Sequence, residues 1–380
     1  MYTEDDNEFI SSYERLLLKL RKNNVSHTPY LDGNVDLQED TSLKEFALDL
    51  KNFDKDKANM DGTSAKIFTR LDDSCARGER KTICDSRYFG DLITELRNNP
   101  DCSYRTIYND LISKENYIPR YFSVLLKDCH NDSSKVKAEL FGSRLANLLG
   151  VPTAYYIGIK DNTPKSERMP GEIIDDYFAV ASVDFVPYNH TMETFKDLTV
   201  GRKYQRIFEN VGQWIGFIED ALSTRFDGNM DKSSLKKLEE DFIKSYLFRV
   251  ALFPDYDFAV YNMGAVIDND TNKFFLTPNF DMEAMMFEHL YQPYGMHYMP
   301  NKSKIKKTIK YCNEKFPDVI SDFMNKLENS YLSGEIERVA KETLGTTGSK
   351  SIVRDISIAC KNMLDCYNNP AIKFRDYLPI

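Results

Sequence analysis

The sequence predicts an α+β protein in two lobes, a strand-bearing amino-terminal lobe followed by a mostly helical carboxy-terminal one. Three observations point there. The chain has 380 residues, 42% of them hydrophobic and 13% aromatic, which exceeds one average domain and supplies a large core. Apolar runs rich in β-branched and aromatic residues cluster between residues 121 and 186. Beyond residue 204 the apolar positions recur every three or four residues, the repeat of one helix face. The expected divisions are an extension and connector over 1–59, a first lobe over 60–189 and a second over 190–380.

Bulk properties narrow the function classes. A net charge of −9 opposes autonomous binding to nucleic acid or to an anionic membrane, both of which need clustered positive charge. The seven cysteines form no C-x-x-C pair and read as reduced thiols. The amino terminus, MYTEDDNEF, is acidic where a signal peptide is basic, and no apolar run reaches the length of a membrane span. A cytoplasmic protein is the expectation.

Taken in order, Phe9, Ile10, Tyr13, Leu16, Leu17 and Leu20 form the stripe of an amphipathic helix. Residues 28–64 are polar and read as a solvated connector. KIFTRL and RKTIC suggest edge strands, and 88–96 and 107–111 suggest helices. YFSVLLK is a strand ending in Lys127, and the helix after it is capped by Ser133 or Ser134 and stopped by Gly150 and Pro152. Strands are expected over 153–160 and 177–186. Helical spacing returns over 204–222 and 234–252, with Trp214 as a packing anchor. Further helices are expected over 302–311, 318–331, 334–343 and 350–367. The lysines at 304, 306, 307 and 310 read as a solvated cluster.

Between the helical tracts lies FPDYDFAVYNMGAVIDNDTNKFFLTPNFDMEAMM, Phe253 to Met286. Met263 to Ile267 and Phe274 to Thr277 flank a run of turn formers, so a hairpin is expected. Asp257 precedes Asn262 by five positions, the interval between base and metal ligand in the protein-kinase catalytic loop. The hairpin returns the chain to Asp281 near Asn262. Phosphoryl transfer needs a carboxylate to orient the attacking hydroxyl and oxygen ligands for magnesium; Asp257 suits the first role, Asn262 and Asp281 the second. Upstream, a strand ending in Lys127 and a helix carrying Glu139 stand in the order of a kinase amino-terminal lobe, where the lysine touches nucleotide phosphates and pairs with the helix acid. Singly, each residue has an ordinary explanation, such as the macrodipole for an acid in the first helical turns. Their joint order is the signal. The end of the last strand, Ser182 to Asn189, is the matching hinge, with backbone at Asp184 and Phe185 facing an adenine.

These segments, with KAELFGSRLANLLGVPTAYYIGI, resemble the HipA-like serine/threonine kinase family, which includes CtkA-type bacterial kinases. Its members have a strand lysine, an acid opening a helix that ends near Leu-Gly, an Asp-x-x-x-x-Asn loop and a Pro-x-x-Asp motif after a hairpin. Here these are Lys127, Glu139, Leu149 with Gly150, Asp257 with Asn262, and Pro278 with Asp281. The resemblance covers about residues 120 to 290. It implies a two-lobed protein-kinase-like fold, ATP and Mg2+ as cofactors, and a protein Ser or Thr hydroxyl as acceptor, the chain's own included. Members commonly carry His two positions after the loop Asp and Lys just before the Asn; this chain has Ala259 and Tyr261. No glycine-containing phosphate loop is evident before the Lys127 strand. A degenerate kinase fold acting as a nucleotide-binding scaffold, and a small-molecule or lipid kinase, are the alternatives.

Overall fold

The computed structural model describes residues 45–48, 66–72, 121–128, 133–154, 156–161, 179–183, 185, 190–199, 208, 210–253, 255, 257–269, 271–282, 302–369 and 371. They divide into two compact units. One holds the described residues up to Leu140 and those from Ala154 to 185; the other holds Phe141–Thr153 and everything from His190 onward. The architecture is mixed and mostly helical. No described helix is long and apolar enough to cross a membrane. The helices expected over 8–22, 88–96 and 107–111, the RKTIC strand and Asp184 lie outside the described residues.

The first unit is built on a five-stranded sheet: β1 (Glu45–Leu48), β2 (Lys66–Asp72), β3 (Tyr121–Asp128), β4 (Tyr156–Asp161) and β5 (Ala179–Val183), in the order β1-β4-β5-β3-β2. The β1–β4 pair is parallel and the others antiparallel. β3 lies inside the sheet, with Lys127 opposite Lys66 on one side and Val180 on the other. Ala179, Val180 and Ala181 are fully buried, so β5 is short and apolar rather than alternating, as strands covered on both faces are. Helix α1 (Ser133–Leu148) follows β3. It ends at Gly150, whose φ of +74° is a left-handed value that suits glycine.

The second unit contains the sheet β6 (His190–Thr194), β7 (Gly264–Asp268) and β8 (Phe274–Leu276), antiparallel throughout. Its helices are α2 (Val211–Arg225), α3 (Lys232–Tyr246), α4 (Lys302–Lys315), α5 (Pro317–Leu332) and α6 (Glu335–Asn368), and a π-helical turn, Leu247–Leu252, continues α3. Asn210 caps α2 through the Gln213 amide, and Asp231 caps α3 through the Ser234 amide. Trp214, Ile218, Leu238, Phe242 and Phe323 are among the buried core residues.

Several expectations are corrected. The connector read over 28–64 contains strand β1, which is stabilised by pairing with β4 rather than by local pattern. The strands expected over 153–160 and 177–186 are shorter; Thr153 instead makes a parallel bridge with Asn279. β6 went unpredicted because HTMET has little apolar content, and its support comes from β7. The two helices expected over 334–343 and 350–367 are one, α6, running through Gly345 and Gly348. Each glycine costs a helix about 1 kcal/mol, a local penalty that propensity alone would have turned into a break. Lys304 is only partly solvated: its ammonium stands 5.9 Å over the Tyr246 ring, and burial lowers its pKa.

Candidate active site

In the first unit, Lys127 and Glu139 meet. Lys127 Nζ lies 3.2 Å from Glu139 Oε1, and both side chains are buried. The sheet fixes the lysine, because β3 is hydrogen-bonded on both sides. The glutamate is fixed by a helix whose Val136, Ala138 and Leu140 are buried around it. Desolvating such a pair consumes much of its Coulomb attraction, so it adds little to stability over an apolar replacement. What it does is hold an ammonium in one place. Phe185, expected at the hinge, is buried in the same unit.

In the second unit the loop after the π-helical turn is held from below by residues that sequence reasoning passed over. Arg249 and Asp255 have fully buried side chains and form an ion pair through Nη2 and Nε of the guanidinium. The Asp255 amide also donates to the Arg249 carbonyl at 2.9 Å. Burial pushes the Asp255 carboxyl up, while the Arg249 guanidinium and the Asp257 amide pull it back. Arg249 reaches further: Nη1 donates to the Phe280 carbonyl at 3.1 Å and Nη2 to the Asp281 carbonyl at 3.2 Å. One cation therefore ties the loop to the segment beyond the hairpin. The only sequence signal was a lone arginine in an otherwise apolar helical run, LFRVAL.

Phe258 is the second anchor. Its ring lies 5.5 Å from Trp214, 6.1 Å from Phe242 and 5.8 Å from Tyr246, with the Arg249 guanidinium 5.5 Å from its centroid. With the neighbouring ring packed among aromatics, Asp257 is half-buried and its carboxylate reaches the exposed Tyr261. The Asp257 amide donates to Asp255 Oδ1 at 2.8 Å, its carbonyl accepts from Asn262 Nδ2 at 3.0 Å, and its Oδ1 accepts from the Tyr261 hydroxyl at 2.8 Å. Asp257 and Asn262 are thus brought together. Because Asn262 uses Nδ2 internally, its Oδ1 is the atom available to a hard cation.

The hairpin places Asp281. Gly264 donates to Thr277 Oγ1 and accepts from the Thr277 amide, both at 3.0 Å, closing the hairpin's open end. Four residues on, Asp281 has a φ of +55°, the left-handed region that aspartate tolerates better than most residues. Asn279 supports this exit through its Nδ2, which donates to the Pro152 carbonyl at 2.7 Å and to Ser245 Oγ at 2.8 Å. Asp281 joins the Asp257 loop through Arg249. Among the described residues no group of three or more His, Cys, Asp or Glu gathers as a metal cluster; the oxygen donors expected of a magnesium site are the Asn262 amide and the Asp281 carboxylate. Residues 283–300, next in the chain, lie outside the described residues.

No family model matches this chain, and no curated protein matches it by sequence. Among solved structures it is similar to a crystal structure of a Helicobacter pylori proinflammatory kinase, CtkA, at 13% identity over 65% of this chain and 86% of that one, with a TM-score of 0.37. So distant a likeness carries no argument about the chemistry of this chain.

Proposed function

We propose that this chain is an ATP- and magnesium-dependent phosphotransferase whose acceptor is a protein Ser or Thr hydroxyl. The observation that carries the reading is the buried Lys127–Glu139 pair, a fixed ammonium on an inner strand opposed by a helix carboxylate. Lys127 binds nucleotide phosphate, with Glu139 setting its position; the backbone near Asp184 and Phe185 faces the base. Asp257 orients the acceptor hydroxyl and takes its proton, and its fixed amide, carbonyl and one carboxylate oxygen leave it little rotational freedom. Asn262 and Asp281 would hold magnesium, whose chemistry when bound is neutralisation of the phosphate charge. The oxygen-only donor set suits that ion.

The test is transfer from labelled Mg·ATP to a mixed protein acceptor, comparing the intact chain with Asp257→Asn and Asp281→Asn. Both variants should bind a fluorescent ATP analogue measurably and transfer poorly, by about 100-fold or more for loss of a positioned base. Transfer undiminished in both variants removes these residues from the chemistry. Nucleotide binding without turnover in the intact chain favours the scaffold alternative.

A further inference from the structure

We infer that Tyr261 is itself a phosphoryl acceptor, modified within its own chain by the base Asp257. The inference rests on the phosphotransferase reading above. Tyr261 is one of two exposed large hydrophobic residues among those described, with half of its surface accessible. Its hydroxyl nevertheless points back, donating to Asp257 Oδ1 at 2.8 Å. A general base must sit within about 2.6–3.2 Å of the proton-bearing atom it serves, and this hydroxyl meets that criterion. It occupies the relation to Asp257 that an incoming acceptor hydroxyl must adopt.

The surroundings make the contact more than a passing surface pair. Asp257 is pinned by its amide to Asp255, which Arg249 holds in the interior. The intervening Phe258 is packed among Trp214, Phe242 and Tyr246. The Asn262 amide donates to the Ala259 carbonyl at 3.0 Å, closing the turn that carries Tyr261 back over Asp257. Tyr261 also immediately precedes Asn262, the proposed metal ligand, so the phenol lies in the turn expected to face the terminal phosphate. A phenol loses its proton near pH 10, more readily than an aliphatic alcohol, which lightens the demand on a carboxylate base.

In the transfer step, Tyr261 Oη forms a bond to the terminal phosphorus of a nucleoside triphosphate, and the bond from that phosphorus to the bridging oxygen breaks. The diphosphate leaves with the bonding pair, and the phenolic proton passes to Asp257 and then to solvent. The product sets a phosphate carrying nearly two negative charges beside the Asp257 carboxylate, a like-charge contact that pushes the modified ring out of the turn. The modification therefore goes to one phosphate per chain at this position.

The experiment uses the full chain, treated with phosphatase, repurified, and incubated with Mg·ATP, followed by intact mass and fragment-ion mapping. The expected result is a gain of one phosphate on Tyr261, at a rate per chain unchanged on dilution, and lost in Tyr261→Phe. An Asp257→Asn chain mixed with the active chain should stay unmodified at Tyr261. Phosphate on Ser, Thr or an added acceptor with Tyr261 bare overturns this inference and leaves the phosphotransferase reading standing. Modification of Tyr261 only between chains, read from the Asp257→Asn partner, overturns it as well. Absence of any phosphate and of ADP formation takes down both.

Discussion

Replacing Arg249 by Met tests whether one buried cation organises the second half of the proposed site. The change leaves the Asp255 carboxyl in the interior with its partner gone, and removing one member of a buried pair costs about 3–5 kcal/mol. The Phe280 and Asp281 carbonyls lose their donors too. Against a typical total of about 5–15 kcal/mol, the variant should be marginal. Burial already raises Asp255, and without the guanidinium that upward push is opposed only by the Asp257 amide. A carboxyl raised in the folded state costs least below its unfolded value and most above its folded one. The deficit should therefore grow as pH rises from mild acid to neutrality. Urea unfolding at both ends of that range measures it, alongside the double variant Arg249→Met with Asp255→Asn. The double variant, with no stranded charge, should recover much of the loss, yet its phosphoryl transfer should remain low because the tether to Phe280 and Asp281 is missing. A loss in the single variant under about 1 kcal/mol, the scale of a solvated pair, refutes the reasoning, as does a double variant no more stable than the single.

Geometry and charge set three further outcomes. Gly264→Ala sets a Cβ 2.1 Å from the Glu193 carbonyl oxygen and 2.7 Å from Thr194 Cα, both backbone atoms of the β6 region, so denaturation should show a loss of about 3 kcal/mol or more; Gly216→Ala, in α2 with nothing within 4 Å of the new atom, should instead gain up to about 1 kcal/mol. Glu239 is pushed up to about 7 by burial and by its hydrogen bond and charge repulsion with Glu219, so its penalty is absent below the unfolded value near 4.5 and complete above about 7; it borders an open cavity of about 470 Å3, and after discounting for screening Glu239→Gln should stabilise the chain at pH 8 by roughly 1 kcal/mol and hardly at all at pH 4.5, read by thermal unfolding. Asp281→Ala and Asp281→Gly both delete the carboxylate, so their difference isolates the backbone: at φ +55° the glycine variant should be the more stable by about 1 kcal/mol, while both lose transfer equally, and transfer retained in either one removes Asp281 from the metal site.

What the sequence made legible is what local pattern controls. The strand carrying Lys127 and the helix carrying Glu139 announce themselves by composition and by the glycine that stops the helix, and the turn formers from Asp268 to Asn272 mark the hairpin, where Asn272 takes a φ of +55°. The Lys127–Glu139 pairing comes from order along the chain, since a strand leading into a helix sets one side chain against the other. Strands β1 and β6 were hidden because their stability comes from partners distant in sequence. Arg249 was hidden for a different reason. Periodicity counts apolar positions, and a single charge within such a run registers as noise unless its partner is known. Phe258 carries no local signal of its own in the sequence, although three rings converge on it.

The loop from Asp255 to Asn262 separates anchoring from chemistry residue by residue. Asp255 turns inward to Arg249 with its side chain fully buried and Phe258 packs against Trp214, while the Asp257 carboxylate accepts from the exposed Tyr261. Two anchors flanking one presented carboxylate fix its direction far better than either alone, because rotation about the loop axis would have to pull a buried charge into water or draw the Phe258 ring out of its aromatic cluster. A carboxylate needed only for solubility gains nothing from such an arrangement, since water solvates it in any orientation. One that must meet a hydroxyl at hydrogen-bond distance gains its main requirement, which is position. On that account the anchors and the presented groups should differ under assay: Arg249, Asp255 and Phe258 govern unfolding and reach transfer only through the position they give the loop, whereas loss of the Asp257, Asn262 or Asp281 side-chain oxygens lowers transfer with little effect on unfolding.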